Sequence, residues 1–309
     1  MKPFSIAKPL AIATWVAAQL FTGFVLAQNG LTATDSRPRV GFSILKTSKV
    51  SVAERLLVPG GSYVQKIDTN FSAFLIKHNQ DYLLFDTGLG TQIDAQYEQD
   101  MPYWQRPFFK FDKPVVPARK QLDDAGYAPI QTVIVSHSHW DHAGGVLDFP
   151  EATTFAAQEE MATIVQPHPG AGGTWASQVS QASIRWKPIV FLPVAYKGYA
   201  RSLDWFNDGS VVLVPMPGHT AGSVGMFVTV DSGKTYFFIG DVAWKTAAVD
   251  AGAAKFWAAS VIVDRDREQT QRSVEQVRAV TQKYPDLVVA PAHDAAVQDA
   301  LGYFPNWVR

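Results

Sequence analysis

The sequence predicts an α/β layered domain, and three observations carry that prediction. Short β-branched or aromatic runs recur along the chain, helical patterns lie between them, and no internal repeat is present. Size and composition allow it. The chain has 309 residues, 47% of them hydrophobic and 18% charged, which is enough to bury a sizeable core and too apolar for a disordered chain.

Taken in order, residues 71–78 and 82–85 flank Asn79-Gln80-Asp81, predicting a hairpin on a short polar turn. Asp86-Thr87-Gly88 closes the second strand. Residues 117–126 predict a helix that starts at Pro117 and stops at Gly126. Thr132-Val133-Ile134-Val135 reads as a short buried strand. Further strands are expected at 211–214, 224–230 and 236–239, then a helix over 265–283 with Val274, Val277 and Val280 along one face. A last strand falls at 287–290. Two stretches break the rhythm. Residues 96–117 carry Tyr97, Tyr103, Trp104, Phe108, Phe109 and Phe111; residues 166–209 carry Trp175, Trp186, Phe191, Tyr196, Tyr199 and Trp205 among Gly and Pro. Connections of this length serve as lids or interfaces, or else their rings close a satellite core under a loop. The sequence leaves both open, and with them a homodimer seam on residues 97–111.

The N-terminus predicts export. Lys2 and Lys8 precede an apolar stretch over 10–27, interrupted by Thr14, Gln19, Thr22 and Gly23, and Ala27 puts a small residue before Gln28. This is the pattern of a secretory signal peptide over residues 1–27, leaving a single domain over 28–309 that is periplasmic or secreted, with no stable membrane association after cleavage. An uncleaved anchor is the alternative, since the stretch approaches the ~20 residues of a spanning helix. Charge and cysteine content exclude several functions. Lys+Arg is 27 against Asp+Glu 28, so no basic footprint for a nucleic acid exists. The absence of cysteine rules out disulfide scaffolding, thiol catalysis and thiolate metal ligands.

The chemistry concentrates in histidines. Of seven (His78, His137, His139, His142, His168, His219 and His293), three fall within His137-Ser138-His139-Trp140-Asp141-His142, straight after a predicted strand. Imidazole and carboxylate are the ligands zinc takes when no thiolate is offered. In an extended segment residues i and i+2 point the same way, so His137 and His139 can grip one ion. Asp141 and His142 follow a turn and can face a second.

Residues 136–145 resemble the signature loop of the metallo-β-lactamase fold superfamily. Asp86-Thr87-Gly88, Pro217-Gly218-His219-Thr220, Ile239-Gly240-Asp241 and Pro291-Ala292-His293-Asp294 resemble its remaining motifs, in the same order. The resemblance implies an αββα sandwich with two Zn²⁺ ions, iron or manganese remaining open. It implies that one ion is held by His137, His139 and His219, the other by Asp141, His142 and His293, with Asp241 bridging and Asp86 orienting a ligand. It also implies catalytic parts for Asp141 and Asp241: two ions sharing a water lower its pKa towards ~7 and give hydroxide at neutral pH, while Asp141 holds or shuttles the proton. Ser138 is then expected to be a small spacer and Trp140 to pack beside the loop.

Within that superfamily, the missing cysteine, the bridging Asp241 and the second loop histidine His139 set the chain apart from its β-lactamase and flavodiiron members. What remains resembles the N-acyl homoserine lactonase and methyl parathion hydrolase branch. Lactonases of that branch commonly place Tyr three residues after the bridging Asp; here Trp244 stands there, and an indole donates only N–H. Either Tyr97, Tyr103, Tyr196 or Tyr199 substitutes, or the substrate is not a homoserine lactone. The expectation is an exported dinuclear-metal hydrolase acting on a small apolar ester, lactone or phosphotriester. The alternatives are a β-lactam hydrolase and a non-catalytic periplasmic protein that binds metal or a small ligand.

Overall fold

In the computed structural model the described residues are 38–309; the predicted signal peptide over 1–27 and its cleavage point lie outside them. Strands with apolar side chains on both faces build two sheets. β1 (Val40–Ala53), β2 (Lys66–His78), β3 (Asp81–Phe85), β4 (Thr132–Ile134), β5 (Thr153–Ala157) and β6 (Arg185–Ile189) form a six-stranded sheet in that order. β1 to β3 are antiparallel, and β3 to β6 run parallel. β7 (Leu203–Asp204), β8 (Val211–Pro215), β9 (Val224–Thr229), β10 (Thr235–Phe238) and β11 (Val288–Ala290) form the second sheet, ordered β11-β10-β9-β8-β7.

The helices are α1 (Glu54–Leu57), α2 (Ile93–Asp100), α3 (Ala118–Asp124), α4 (Met161–Val165), α5 (Ala176–Val179), α6 (Thr246–Ala251), α7 (Trp257–Val263), α8 (Arg267–Lys283) and α9 (Ala295–Leu301). Side-chain alternation sorts everything into layers. Phe74, Ile76 and Phe85 of the first sheet meet Leu213, Met226 and Phe238 of the second in the central core. Their neighbours Ala73, Leu75 and Leu84 pack instead with Ala118 and Leu122 of α3. On the far side Val212, Phe227 and Phe237 pack with Val274, Val277 and Val280 of α8. The order is helix, sheet, sheet, helix, the sandwich that the motifs implied. At ~0.8 kcal/mol per buried CH₂, the central layer is the main stabilising block.

Most expected elements are present with edges moved by a residue or two. The hairpin turns on Asn79 and Gln80, with Asn79 in the left-handed region at φ 55°. The long helix begins at Arg267 because Asp266 caps it, its carboxylate accepting from the N–H of Gln269 at 2.9 Å. Four strands were not legible, the two-residue β7 among them. β1 carries Lys46, Ser48, Lys49 and Ser51, which blur its period, yet it pairs with β2 along almost its whole length. β5 is short, and β6 lies within the aromatic stretch over 166–209 as an edge strand, where Pro188 is tolerated.

Candidate metal centre

Five strand ends deliver the site. Asp86 follows β3, His137 to His142 follow β4, His219 follows β8, Asp241 follows β10, and His293 follows β11. Parallel pairing of β3 with β4 and of β10 with β11 puts their C-terminal ends on one edge of the sandwich. Gly218 makes the turn before His219, at φ 137°; a Cβ there would lie 2.3 Å from the backbone N of Thr270, so only glycine lets the loop dock on α8.

All seven predicted ligands come together and all are buried. Ligand atoms of His137, His139 and His219 lie within 4.8 Å of one another, as do those of Asp141, His142 and His293, and those of His137, His142 and Asp241. Asp241 faces both ways. Its Oδ1 is 3.1 Å from His142 Nε2 and 3.0 Å from His293 Nε2, while its Oδ2 is 3.5 Å from His219 Nε2.

A layer of hydrogen bonds aims these rings. Asp86, held in the left-handed region at φ 59°, accepts from His142 Nδ1 at 2.8 Å, from Ser136 N at 2.6 Å and from Ser136 Oγ at 2.9 Å. Asp86 therefore orients the His142 ring and the backbone of the loop together. His219 Nδ1 lies 2.7 Å from Asp264 Oδ1, and His293 Nδ1 lies 2.7 Å from the carbonyl of Asn70. Each Nδ1 thus carries the proton, which leaves a lone pair on each Nε2.

Those lone pairs test whether the residues fit a cation. His142 Nε2 and Asp241 Oδ1 are buried with no hydrogen-bond partner, and His137 Nε2 and His219 Nε2 stand 3.1 Å apart. Buried polar atoms left unpaired are unfavourable unless positive charge lies beside them. The electrostatics agree. Burial, then the neighbouring imidazoles, hold His137 and His139 well below the ordinary histidine pKa. For His142 and His293 burial opposes charge, but Asp241 leads the carboxylates that outweigh it and raise both. Burial likewise opposes charge on Asp241, and the imidazoles of His293 and His142 overcome it and hold its carboxyl well below the usual range. Burial raises Asp141. The raised imidazoles thus take protons at donor atoms that imidazole and carboxylate would otherwise offer to a transition metal.

The site forms the floor of a cavity of about 360 Å³ walled by Val50, Leu57, Phe71, Phe109, Trp244 and Ile262 among other apolar groups. Trp140 packs beside the loop as expected, stacked on Trp175 at 5.3 Å, and also reaches the cavity. Ser138 is more than a spacer: its N–H and hydroxyl both donate to the buried carboxylate of Glu160, which also accepts from Gly222 N and so ties the His137 loop to the His219 loop. None of the four candidate tyrosines replaces the missing phenol. Tyr97 donates to the carbonyls of Arg106 and Phe109, Tyr103 is exposed, and Tyr196 and Tyr199 pack on Phe227 in the outer core. Among the described residues no tyrosine lines the cavity. The aromatic stretch over 96–117 divides accordingly: Phe108 and Phe109 are wall, while Tyr97 and Phe111 pack around Trp140. In the stretch over 166–209, Trp175 supports the site, and Trp205 packs far from it on Phe155.

Sequence reasoning missed Asp264, Lys255, Glu160 and Asn70. One signal was available: Lys255 is the lone charge within residues 251–263, an otherwise apolar run ending at Asp264.

Comparison with known proteins agrees with this geometry. The sequence profile of the metallo-beta-lactamase superfamily matches residues 70–293. The chain is 26% identical over 229 residues to the N-acyl homoserine lactonase AttM of Agrobacterium fabrum, covering 72% of this chain and 80% of the relative. It is 27% identical over 233 residues to a probable metallo-hydrolase of Mycobacterium tuberculosis, covering 71% and 73%. Among solved structures, an N-acyl homoserine lactone hydrolase with N-hexanoyl-L-homoserine at its catalytic metal centre superposes with a TM-score of 0.65 at 15% identity, over 87% of this chain and 98% of the other. The dizinc lactonase AidC superposes with a TM-score of 0.54 at 16% identity, over 87% and 89%. At these identities the structural likeness concerns the fold.

Proposed function

The chain belongs to the metallo-β-lactamase superfamily and is a hydrolase of that fold, and we propose that it uses two zinc ions to hydrolyse a neutral or weakly charged apolar ester, lactone or phosphotriester. One observation carries this: seven buried donors converge, and five of them, His139, Asp141, His219, Asp241 and His293, form the floor of a cavity whose walls are largely apolar.

His137, His139 and His219 would hold one ion and Asp141, His142 and His293 the other, with Asp241 placed between the two sets. What zinc supplies there is Lewis acidity and a water acidified to a pKa near ~7. The chain does the rest. Trp244 donates to Asp241 Oδ2 at 2.7 Å and fixes the bridging carboxylate. Asp141 would ligate through one carboxylate oxygen, and its other oxygen would hold or shuttle the proton. The walls take an acyl or aryl group and exclude water. Apart from the site's own donors and the indoles of Trp140 and Trp244, the polar side chains on the described wall are Thr69 and Lys110, and the Thr69 hydroxyl is turned to the carbonyl of His293 at 3.2 Å.

With no phenol in the cavity, groups that leave as stable anions, such as phenolates, are favoured over the alkoxide of a homoserine lactone. The AttM likeness supports lactones within the same range, and the cavity without a phenol makes them the slower class. Zinc-reconstituted protein assayed on aryl esters, phosphotriesters, lactones and β-lactams tests this. The highest kcat/KM is expected on activated aryl substrates, and a clear preference for β-lactams overturns it. The proposal includes export, supported by Lys2, Lys8 and the apolar stretch over 10–27. Protein recovered outside the cytoplasm should begin at Gln28.

A further inference from the structure

Behind His219 lies a buried ion pair. Asp264 Oδ1 accepts from His219 Nδ1 at 2.7 Å and from Lys255 Nζ at 2.8 Å, and Asp264 Oδ2 accepts from Ser260 Oγ at 2.5 Å. The side chains of Lys255 and Asp264 are both fully buried. Lys255 Nζ also sits 5.4 Å from the ring of Trp244, whose N–H holds Asp241.

The other supported ligands are backed differently. His142 is backed by Asp86, whose further donors are the neutral Ser136 N–H and hydroxyl. His293 is backed by the neutral carbonyl of Asn70. Lys245 lies near His293, but its ammonium donates to the backbone carbonyls of His293 and Asp68, with Asp294 at 3.9 Å, and does not share an acceptor with the ring. Among the described residues, only His219 shares its carboxylate with a lysine.

The chemical consequence is directional. A carboxylate accepting from Nδ1–H pushes electron density towards Nε2 and makes the imidazole a stronger donor. A cation on the same carboxylate oxygen draws that density back, and at low local dielectric the effect reaches well beyond contact distance. The second position has Asp141 of its own besides the shared Asp241, and no lysine shares an acceptor with its rings.

We propose that Lys255, acting through Asp264, is a positioning residue that weakens the His137–His139–His219 position alone, so that the two positions bind metal with separate affinities. This rests on the dinuclear reading above. It goes beyond that reading by naming a group outside the ligand set that makes the two positions unequal.

The experiment is a titration of metal-free full-length protein with Co²⁺, followed by calorimetry and by the visible absorption of the bound ion. Wild-type protein should take up two ions in two resolvable steps. Lys255→Met should tighten one step by at least about tenfold, with the other step held within about twofold. Asp264→Asn, which leaves the Lys255 charge unbalanced, should weaken the same step by ~10–100-fold. The double variant Lys255→Met/Asp264→Asn should return that step to within a few-fold of wild type. If Lys255→Met fails to fold, the double variant, which leaves no buried charge unpaired, decides against Asp264→Asn alone: return of the step supports the inference, and its absence overturns it. Equal shifts in both steps, as a loosened fold would give, overturn it, as do two unshifted steps. A wild-type protein that binds fewer than two ions overturns the dinuclear reading itself.

Discussion

The indole N–H of Trp244 points at Oδ2 of Asp241 from 2.7 Å, on the side of the carboxylate where His219 Nε2 lies at 3.5 Å. The residue at the usual tyrosine position therefore spends its only donor on the bridging carboxylate and has none left for a substrate oxygen. Removing it should hurt all substrates alike. A hydrogen bond to a charged group contributes about 1.5–3 kcal/mol, so Trp244→Phe should lower kcat/KM by ~10–100-fold across substrates if the full bond is felt in the transition state. Trp244→Tyr restores a hydroxyl. Relative to Trp244→Phe it should raise lactone turnover more than aryl ester turnover, because an alkoxide leaving group needs the proton. Equal ratios in the two variants would show that the hydroxyl does not reach the substrate.

Asp86 offers a second test, on stability and metal affinity together. It is fully buried and receives Ser136 N, Ser136 Oγ and His142 Nδ1. Asp86→Ala leaves these donors unpaired at about 1–3 kcal/mol each. A clear fall in thermal midpoint is expected, with a ~10–100-fold loss of metal affinity at the position His142 serves. Asp86→Asn keeps an acceptor for Ser136 N but loses charge against His142, so it should keep more stability than Asp86→Ala while still losing affinity. Calorimetric unfolding and a metal titration of both variants measure the two effects separately.

What the sequence showed of this site, and what it hid, follows from how each group is encoded. Of the seven site side chains, His137, His139, Asp141 and His142 were legible as a local cluster after a strand, while His219, Asp241 and His293 were placed by the resemblance of their short motifs. The central strands were legible because apolar residues facing both the core and the helices leave an unbroken run, as at residues 211–214. β1 was hidden because its lysines and serines sit among buried positions, and its partner β2 supplies the order. Asp264 and Lys255 were hidden for another reason. Their role depends on α7 placing Asp264 against a loop 45 residues earlier in the chain, and no spacing rule reports a contact of that kind.

The aromatic segment after α2 separates into testable parts. Phe108 is 64% exposed yet lines the cavity, whereas Trp104 is 54% exposed and does not. Phe108→Ala should raise KM for aryl substrates several-fold with metal content unchanged, since burying a phenylalanine-sized contact is worth about 1.5–3 kcal/mol at full burial. Trp104→Ala should leave kinetics alone. If residues 97–111 form a seam between two copies of the chain, Trp104→Ala should shift the oligomeric state, which light scattering measures directly.

Metal removal should cost stability as well as activity. Without a cation, His142 Nε2 and His293 Nε2 face Asp241 Oδ1 at 3.1 and 3.0 Å, and only protons can relieve the contact. A metal that binds the folded chain alone stabilises it by about 4 kcal/mol when its concentration is 1,000 times its dissociation constant. For a domain of this size each kcal/mol moves the thermal midpoint by roughly 2–4 °C, so chelation should lower it by about 10 °C. Zinc should restore both the midpoint and activity. Magnesium should restore neither, because it favours oxygen ligands and this site offers five imidazoles against two carboxylates. Differential scanning calorimetry of chelated, zinc-restored and magnesium-treated protein makes the comparison. A midpoint indifferent to chelation would mean that the seven donors do not hold metal in the folded protein.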